Sequence, residues 1–274
     1  MTPFVWRDVT QFQIDPVGIA IMVVATVAYL FGAHRVPGWS RGRRVAFLAG
    51  MLVTFLAVES VVGVYDRAYF SDHMIQHLLL IMVAAPLFAL SAPLDLVRAL
   101  GGPRTTRVLD GRVMTTLLHP LVAFALYFVF IPVAHLTSLF NLMLLHDWIH
   151  QAEHIAFLAV GYDFFRSAFG LEVGRRIPPG LRLVYVMAAV PVDTFTGLAL
   201  AMASHNPFPA YRSFAPVGST TASILSNVHF GGAIMWISGD ALMLALCIPI
   251  AVAWVRDETR KTAELDAKLD ALGL

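Results

Sequence analysis

Seven long apolar runs dominate this sequence and limit what it can fold into. They lie near residues 17–33, 45–66, 72–94, 115–136, 141–165, 181–203 and 228–255. A helix of about 20 apolar residues crosses the hydrocarbon core of a bilayer, where the backbone must satisfy its own hydrogen bonds. The sequence therefore predicts an all-α, polytopic membrane protein, with a single domain of seven transmembrane helices over residues 1–274.

The composition supports this class. Of the 274 residues, 58% are hydrophobic and only 14% are charged, and the mean hydropathy is +0.72. A soluble domain carries about 25% charged residues. The one cysteine, Cys247, excludes a disulfide framework and a Cys-x-x-Cys motif. The net charge of +1 gives no reason to expect a nucleic-acid partner, and residues 1–16 lack the features of a removable signal peptide.

Lys and Arg are distributed unequally between alternate loops. Sixteen of the 19 lie between spans one and two, three and four, or five and six, or in the tail after Trp254. The other loops hold only Arg7, Arg67 and Arg212. Because cytoplasmic loops are enriched in Lys and Arg, we predict that the N-terminus lies outside and the C-terminus in the cytoplasm. The outward loop 204–227, which contains three prolines, is either a lid over the outer face or a plain connection.

Eight of the ten histidines fall in the outward-facing half of this arrangement. Residues three or four positions apart lie on one face of a helix, and two histidines at i and i+4 can share a metal ion. Span five carries one such stripe, formed by His146, His150, Glu153 and His154. Span three carries another, formed by His73, Gln76 and His77. The other outward histidines are His135, His205 and His229.

Four carboxylates lie at membrane depth, away from the ends of the predicted spans, without a Lys or Arg beside them. They are Glu59, Glu153, Asp193 and Asp240. A charge at the bilayer centre costs at least about 2.5–3.5 kcal/mol on insertion scales, and such residues are candidates for function. Each carboxylate therefore needs a proton, a histidinium or a bound cation, and hydrogen bonding of the neutral acid to a neighbouring helix is the structural alternative.

These residues predict an outward-facing transition-metal site. Imidazole suits copper, zinc, iron and nickel, and thioether sulfur adds a preference for Cu(I); methionines also occur in the outer halves. We expect Cu(I) first and zinc as the alternative, held between spans three and five by four histidines, with Glu153 and Asp240 as orienting or charge-balancing groups. The full set of candidate residues is His73, His77, His150, His154, Met74, Glu153, Asp240, His146, His229 and Asp193.

Three other classes of function remain open. His150, Glu153 and His154 match the H-x-x-E-H pattern, in which two histidines hold zinc and the glutamate activates water in a peptidase. Pairs of histidines on facing helices could ligate a haem iron in an electron carrier. Carboxylates at several depths are also typical of a metal or proton transporter, although no strong internal repeat is visible.

The same residues carry a family resemblance that covers nearly the whole chain. The run SDHMIQHLLL at 71–80, followed by Pro86 and Pro93, resembles the polytopic CtaG family of cytochrome c oxidase assembly factors. The run HQAEH at 150–154, the run MWISGD at 235–240, the chain length and the seven spans also fit.

The resemblance implies a bacterial plasma-membrane protein that helps to form the buried copper centre of a haem–copper oxidase. Its partners would be the oxidase catalytic subunit and an extracytoplasmic copper chaperone. No covalent catalysis is implied, so we expect a metallochaperone-like assembly factor and not an enzyme. The positions that match the family are His73, Met74, His77, His150, Glu153, His154 and Asp240.

Overall fold

The computed structural model describes residues 10–171, 174 and 176–272, and within them all regular structure is helical. Arg7 and Arg175, which were counted among the loop charges, lie outside the described residues. A π-helical segment from Leu79 to Ala84 continues the fourth helix. The described α-helices are α1 (Pro16–Arg35), α2 (Arg41–Glu59), α3 (Val61–Tyr65), α4 (Phe70–Leu78), α5 (Ala85–Ser91), α6 (Pro93–Leu100), α7 (Pro103–Leu109), α8 (Arg112–Leu117), α9 (Pro120–Leu136), α10 (Leu139–Leu145), α11 (Asp147–Phe169), α12 (Pro179–Met187), α13 (Val190–Ala201), α14 (Tyr211–Phe214) and α15 (Thr221–Leu272).

Several helical stretches are long and apolar enough to cross a membrane. In the described part of the chain there are five of them: Pro16–Arg35, Arg41–Tyr65, Phe70–Leu100, Pro179–Ala201 and Thr221–Leu272. A sixth results if α9 and α10, which meet at an angle of 66°, form one bent span. The prediction of an all-α membrane protein is therefore confirmed, whereas the count of seven spans and the orientation of the termini stay predictions.

The helix that corresponds to the fifth predicted span begins later than the sequence suggested. His146 has an extended backbone (φ −130°, ψ 113°), so residues 141–145 belong to α10 and α11 begins at Asp147. With 23 residues, α11 is about 35 Å long, which is enough to cross a bilayer. Its polar composition, and not its length, separates it from the apolar stretches; its charged residues are Asp147, Glu153, Asp163 and Arg166.

The stretch Phe70–Leu100 forms the centre of the bundle, since 56% of its most apolar part is buried. Its α4 packs against α15, and its π-helical segment and α5 pack against α2 and α11. Gly161 allows the close approach of α11, because a Cβ atom there would lie 2.7 Å from Ile81 Cγ1 and 3.0 Å from Ile81 O. By contrast, only 17% of the corresponding part of α1 is buried, so α1 lies at the periphery.

One end of the bundle is covered by the loop that follows α13. Phe208 and Tyr211 in this loop are 1% exposed. The ring of Phe208 lies 4.2 Å from that of Phe140 and 5.0 Å from that of Phe70, measured between centroids. The Tyr211 hydroxyl donates a hydrogen bond to the backbone oxygen of Asp66 at 3.2 Å. The loop is therefore a packed cover over the end where α4 and α11 begin.

Candidate metal centre

Five histidines from three helices converge beneath this cover. All of them are buried, with exposures of 5% or less: His73 and His77 on α4, His135 on α9, and His150 and His154 on α11. The rings of His73 and His77 lie 4.3 Å apart, those of His150 and His154 lie 4.5 Å apart, and His73 stacks on His150 at 5.4 Å. The structure thus brings together the four histidines that were expected to share a site.

The first group of ligands consists of His73, His77 and Glu153, and we call it the Glu153 triad. Its potential ligand atoms all lie within 4.8 Å of one another. Glu153 Oε1 lies 3.1 Å from His77 Nε2, and Glu153 Oε2 lies 3.6 Å from His73 Nε2. None of these four atoms forms a hydrogen bond with a described residue. Two aromatic rings cover this group. The ring of Phe157 stacks on His77 at 3.8 Å, and the ring of Phe140 lies 4.8 Å from that of His73.

A relay of hydrogen bonds fixes the tautomer of His77. The backbone oxygen of Ile131 lies 2.8 Å from His135 Nδ1, and a carbonyl oxygen only accepts, so this nitrogen carries the proton. In the neutral ring His135 Nε2 then has the lone pair, and it accepts from His77 Nδ1 at 3.1 Å. In the neutral tautomer that this relay favours, the lone pair of His77 lies on Nε2, which faces the Glu153 carboxylate.

The second group consists of Asp66, His150 and His154, and we call it the Asp66 triad. Its ligand atoms also lie within 4.8 Å of one another, and Asp66 Oδ2 lies 3.5 Å from His150 Nε2. Gln76 connects the carboxylate to the second imidazole, because its Nε2 donates to Asp66 Oδ2 at 2.9 Å and its Oε1 lies 2.9 Å from His154 Nε2. All four side chains are at least 95% buried.

Several buried polar atoms in these two groups have no hydrogen-bond partner in the described residues, which is the feature that indicates a cation site. Buried polar groups are normally hydrogen-bonded, and an unsatisfied one costs about 1–3 kcal/mol. Within the described residues no hydrogen-bond partner is found for both nitrogens of His73, His77 Nε2, His150 Nε2, both oxygens of Glu153 and His154 Nδ1. A cation that accepts imidazole and carboxylate ligands would satisfy several of them at once.

Two predicted carboxylates form a polar cluster of their own. Asp193 accepts a hydrogen bond from the Tyr127 hydroxyl at 2.8 Å and is 3% exposed. Asp240 accepts from the Thr194 hydroxyl, with distances of 3.0 and 2.9 Å to its two oxygens. Neither residue belongs to the Glu153 triad or the Asp66 triad. Hydrogen bonding between helices, the alternative to metal ligation, is what the structure offers each of them.

The other candidates lie in varied surroundings. Met74 is buried in the apolar core of the bundle. His146 is exposed at the start of α11, and His205 is exposed beside Ser204. His229 is half-buried, with its Nε2 atom 2.8 Å from the backbone oxygen of Ala203. Glu59 is buried and accepts a hydrogen bond from the backbone nitrogen of Asp15 at 3.0 Å.

Two residues of the site were missed or undervalued by sequence reasoning. Asp66 is the last residue of the second predicted span (45–66) and was not singled out, although it supplies the carboxylate of the Asp66 triad. His135 was named only among the other outward histidines and left out of the candidate set, yet it is 1% exposed and contacts His77. The signal available for Asp66 was a carboxylate at the outer end of a predicted span, next to the outward residue Arg67.

The fold and the site define a polytopic helical membrane protein with a buried histidine–carboxylate cluster at one end of its bundle. The chain belongs to the cytochrome c oxidase caa3 assembly factor family (Caa3_CtaG), whose model matches residues 27–257. The resemblance based on the run at 71–80 is thereby confirmed, and this is a family of assembly factors for cytochrome c oxidase.

Uncharacterized mycobacterial proteins are similar to almost the whole chain. Proteins from Mycobacterium bovis and Mycobacterium tuberculosis are each 30% identical over 98% of this chain, and one from Mycobacterium leprae is 31% identical over the same share. The chain spans only 43% of the length of each of these relatives. No solved structure matches the chain.

Proposed function

We propose that this protein binds copper at the Glu153 triad and delivers it to the catalytic subunit of a haem–copper cytochrome c oxidase during assembly. The observation that carries the proposal is the approach of His77 Nε2 to a buried carboxylate oxygen of Glu153 at 3.1 Å, where neither atom forms a hydrogen bond within the described residues. With His77 neutral and protonated on Nδ1, two electron-rich atoms face each other at this distance and repel, and a cation between the helices removes the repulsion. Copper is the cargo, and no bond of a substrate is broken.

The ligands fit copper better than a hard cation. Two imidazoles and one carboxylate suit copper or zinc, whereas magnesium and calcium prefer oxygen ligands alone. The triad offers ligands for Cu(I), which we expect as the physiological form, and equally for Cu(II). In our proposal copper arrives from the outer side, from an extracytoplasmic chaperone, and leaves by ligand exchange to the oxidase subunit in the bacterial plasma membrane.

The geometry favours cargo binding over two of the alternatives, the zinc peptidase and the haem-binding electron carrier. In a zinc peptidase of the H-x-x-E-H type, Glu153 would serve a metal held by His150 and His154. Instead its carboxylate lies against His73 and His77 on another helix. A haem held by paired histidines needs its macrocycle between the rings, but the rings of His73 and His150 stack directly at 5.4 Å.

Copper binding is tested with the purified full-length protein in detergent. We expect about one tightly bound copper ion at the Glu153 triad, and we expect His77→Ala or Glu153→Gln to lower its affinity about 10–100-fold or more, as loss of ligands or their supports does. His205→Ala is the matched control, because it removes an exposed imidazole near the same end. Elemental analysis and competition with a copper chelator measure the result.

The delivery step is tested in cells that lack the protein. Wild-type protein and His205→Ala should restore oxidase activity and the copper content of the purified oxidase. His77→Ala, expressed in the membrane to the same level, should leave an oxidase that contains haem but lacks its buried copper. Tightly bound zinc in place of copper, or normal oxidase copper with His77→Ala, would contradict the proposal.

A further inference from the structure

We infer that the Asp66 triad is a second cation site, and that the guanidinium of Arg67 competes with a metal ion for it. The inference rests on the proposed function, because the second site would take the same cargo before it reaches the Glu153 triad. It concerns residues that neither the sequence analysis nor the family assignment treats as one site.

The six side chains offer two separate sets of ligands. In the described residues the ligand atoms that lie within 4.8 Å of one another fall into two groups of three, and no residue belongs to both. The rings of His73 and His150, one from each group, stack with their centroids 5.4 Å apart. The two sites are therefore neighbours with separate ligands.

Gln76 fixes the tautomer of His154, so that the lone pair of this ring lies on Nδ1. The amide nitrogen of Gln76 donates to Ala57 O at 3.1 Å and to Asp66 Oδ2 at 2.9 Å, which fixes the orientation of the amide. Its oxygen must then accept the proton of His154 Nε2 at 2.9 Å. The lone pair of His154 therefore lies on Nδ1, which is buried and has no hydrogen-bond partner in the described structure.

Arg67 keeps the proton of His150 on the nitrogen that would bind a metal ion. Arg67 Nη2 lies 3.4 Å from His150 Nδ1, and a guanidinium only donates, so the proton of the neutral ring lies on Nε2. That nitrogen faces Asp66 at 3.5 Å and is the atom with which His150 would bind a metal. Metal binding moves the proton to Nδ1, where its N–H would point at the guanidinium. Arg67 in this position and a metal ion in the Asp66 triad therefore exclude each other.

Asp147 offers the Arg67 guanidinium another partner when a metal ion binds. Its Nη1 donates to Asp147 Oδ1 at 2.6 Å, and the side chains of Arg67 and Asp147 are 27% and 87% exposed. A small movement along this ion pair takes the guanidinium away from His150 and toward water. The Asp66 triad thus adjoins an exposed ion pair, whereas the Glu153 triad is enclosed by aromatic rings and His135, so a cation from the outer surface meets the Asp66 triad first.

The second site is tested by titrating the purified full-length protein with Cu²⁺ and counting bound ions by elemental analysis. We expect one tight and one weaker site in the wild type. Arg67→Gln should tighten the weaker site about tenfold or more, because it removes a positive charge beside the ion. Asp66→Asn should abolish the weaker site and keep the tight one, whereas His77→Ala should weaken the tight site and leave the other unchanged. Arg212→Gln, which removes an exposed arginine in the covering loop, should change neither.

Electron paramagnetic resonance gives a second measurement. A copper ion lies about 2 Å from its ligating nitrogen, so rings stacked at 5.4 Å place two ions within roughly 12 Å of each other. Dipolar broadening should therefore appear in Arg67→Gln when the second equivalent of Cu²⁺ binds, and it should be absent in Asp66→Asn.

An exposed variant tests the competition without disturbing the core. Asp147→Asn should weaken the second site, because Arg67 loses the partner that draws it away from His150. In the Arg67→Gln background the same change should have no effect, as expected when one residue acts through the other. One bound ion in both the wild type and Arg67→Gln, unchanged in Asp66→Asn, would overturn the second site and leave the proposed function standing. No bound copper in any variant would overturn the proposed function itself.

Discussion

At the scale of single residues, the chemistry of the site depends on where protons lie on neutral imidazoles. His135 is oriented by the hydrogen bond from its Nδ1 to Ile131 O in α9, and its Nε2 in turn accepts a hydrogen bond from His77 Nδ1. In the neutral ring, the nitrogen of His77 that faces Glu153 is therefore deprotonated without a charge being created in a buried place. Outer partners of this kind commonly raise metal affinity by 10–100-fold, which gives a structural role to a histidine that does not itself belong to a triad.

We predict that His135→Ala weakens copper binding at the Glu153 triad about 10–100-fold, although all three ligands remain. The change leaves His77 Nδ1 without an acceptor, which also costs about 1–3 kcal/mol of stability. His135→Gln should recover most of the affinity, because its amide oxygen can accept the same proton. Copper-chelator competition and thermal unfolding of the two variants measure the effect. Equal loss of affinity in both would show that His135 acts only through packing.

Sequence periodicity predicted which residues belong to the site better than it predicted how they separate into two triads. The spacing correctly gave one polar face on each of two helices, formed by positions 73 and 77 and by positions 150, 153 and 154. The pattern does not state which side chain of one helix meets which of the other, and so it did not show that Glu153 turns to the histidines of α4 while His150 and His154 turn to Asp66. Such pairing depends on the packing of helices, and packing is a property of tertiary structure.

At the scale of elements, α4 and α11 supply five of the six triad residues, so their contact sets the geometry of both sites. α4 passes into the π-helical segment one residue after His77. Single π turns inside helices are often found at functional sites, because the extra residue shifts the side chains that follow. No sequence pattern announced this segment, since Leu79–Ala84 is a plain apolar run, and the break at His146 was likewise hidden within a predicted span.

We predict that Gly161→Ala lowers stability and copper affinity together. The added Cβ would lie 2.7–3.0 Å from Ile81 and Ala85, so α11 must move away from the central stretch. Overpacking of this kind costs about 1–3 kcal/mol, and movement of α11 displaces Glu153 from the histidines of α4. Gly102→Ala is the control, because no atom lies within 4 Å of the added group. Thermal unfolding in detergent and copper titration check both; a stable variant with unchanged affinity would contradict the assigned contact.

At the scale of the whole molecule, the sites lie at one end of a bundle whose apolar helices are suited to lipid. Large hydrophobic side chains on α1 are exposed in the described structure, among them Val17, Ile21 and Val24. In a membrane protein such faces contact lipid or a neighbouring protein, and the cost of burying charge keeps the polar cluster inside. Copper supply from outside requires that the histidine end faces the outer side, which is the orientation that the distribution of Lys and Arg predicts.

That orientation can be measured with single cysteines in a Cys247→Ala background. Val217 lies in the loop that covers the histidine end and is 93% exposed, whereas Lys268 is exposed in the tail of α15. We predict that Val217→Cys reacts with a membrane-impermeant thiol reagent in intact spheroplasts, and that Lys268→Cys reacts only after lysis, because the basic loops stay in the cytoplasm. The opposite pattern would place the Asp66 triad on the cytoplasmic side. Copper would then have to arrive from a cytoplasmic donor, and a route from an extracytoplasmic chaperone would be excluded.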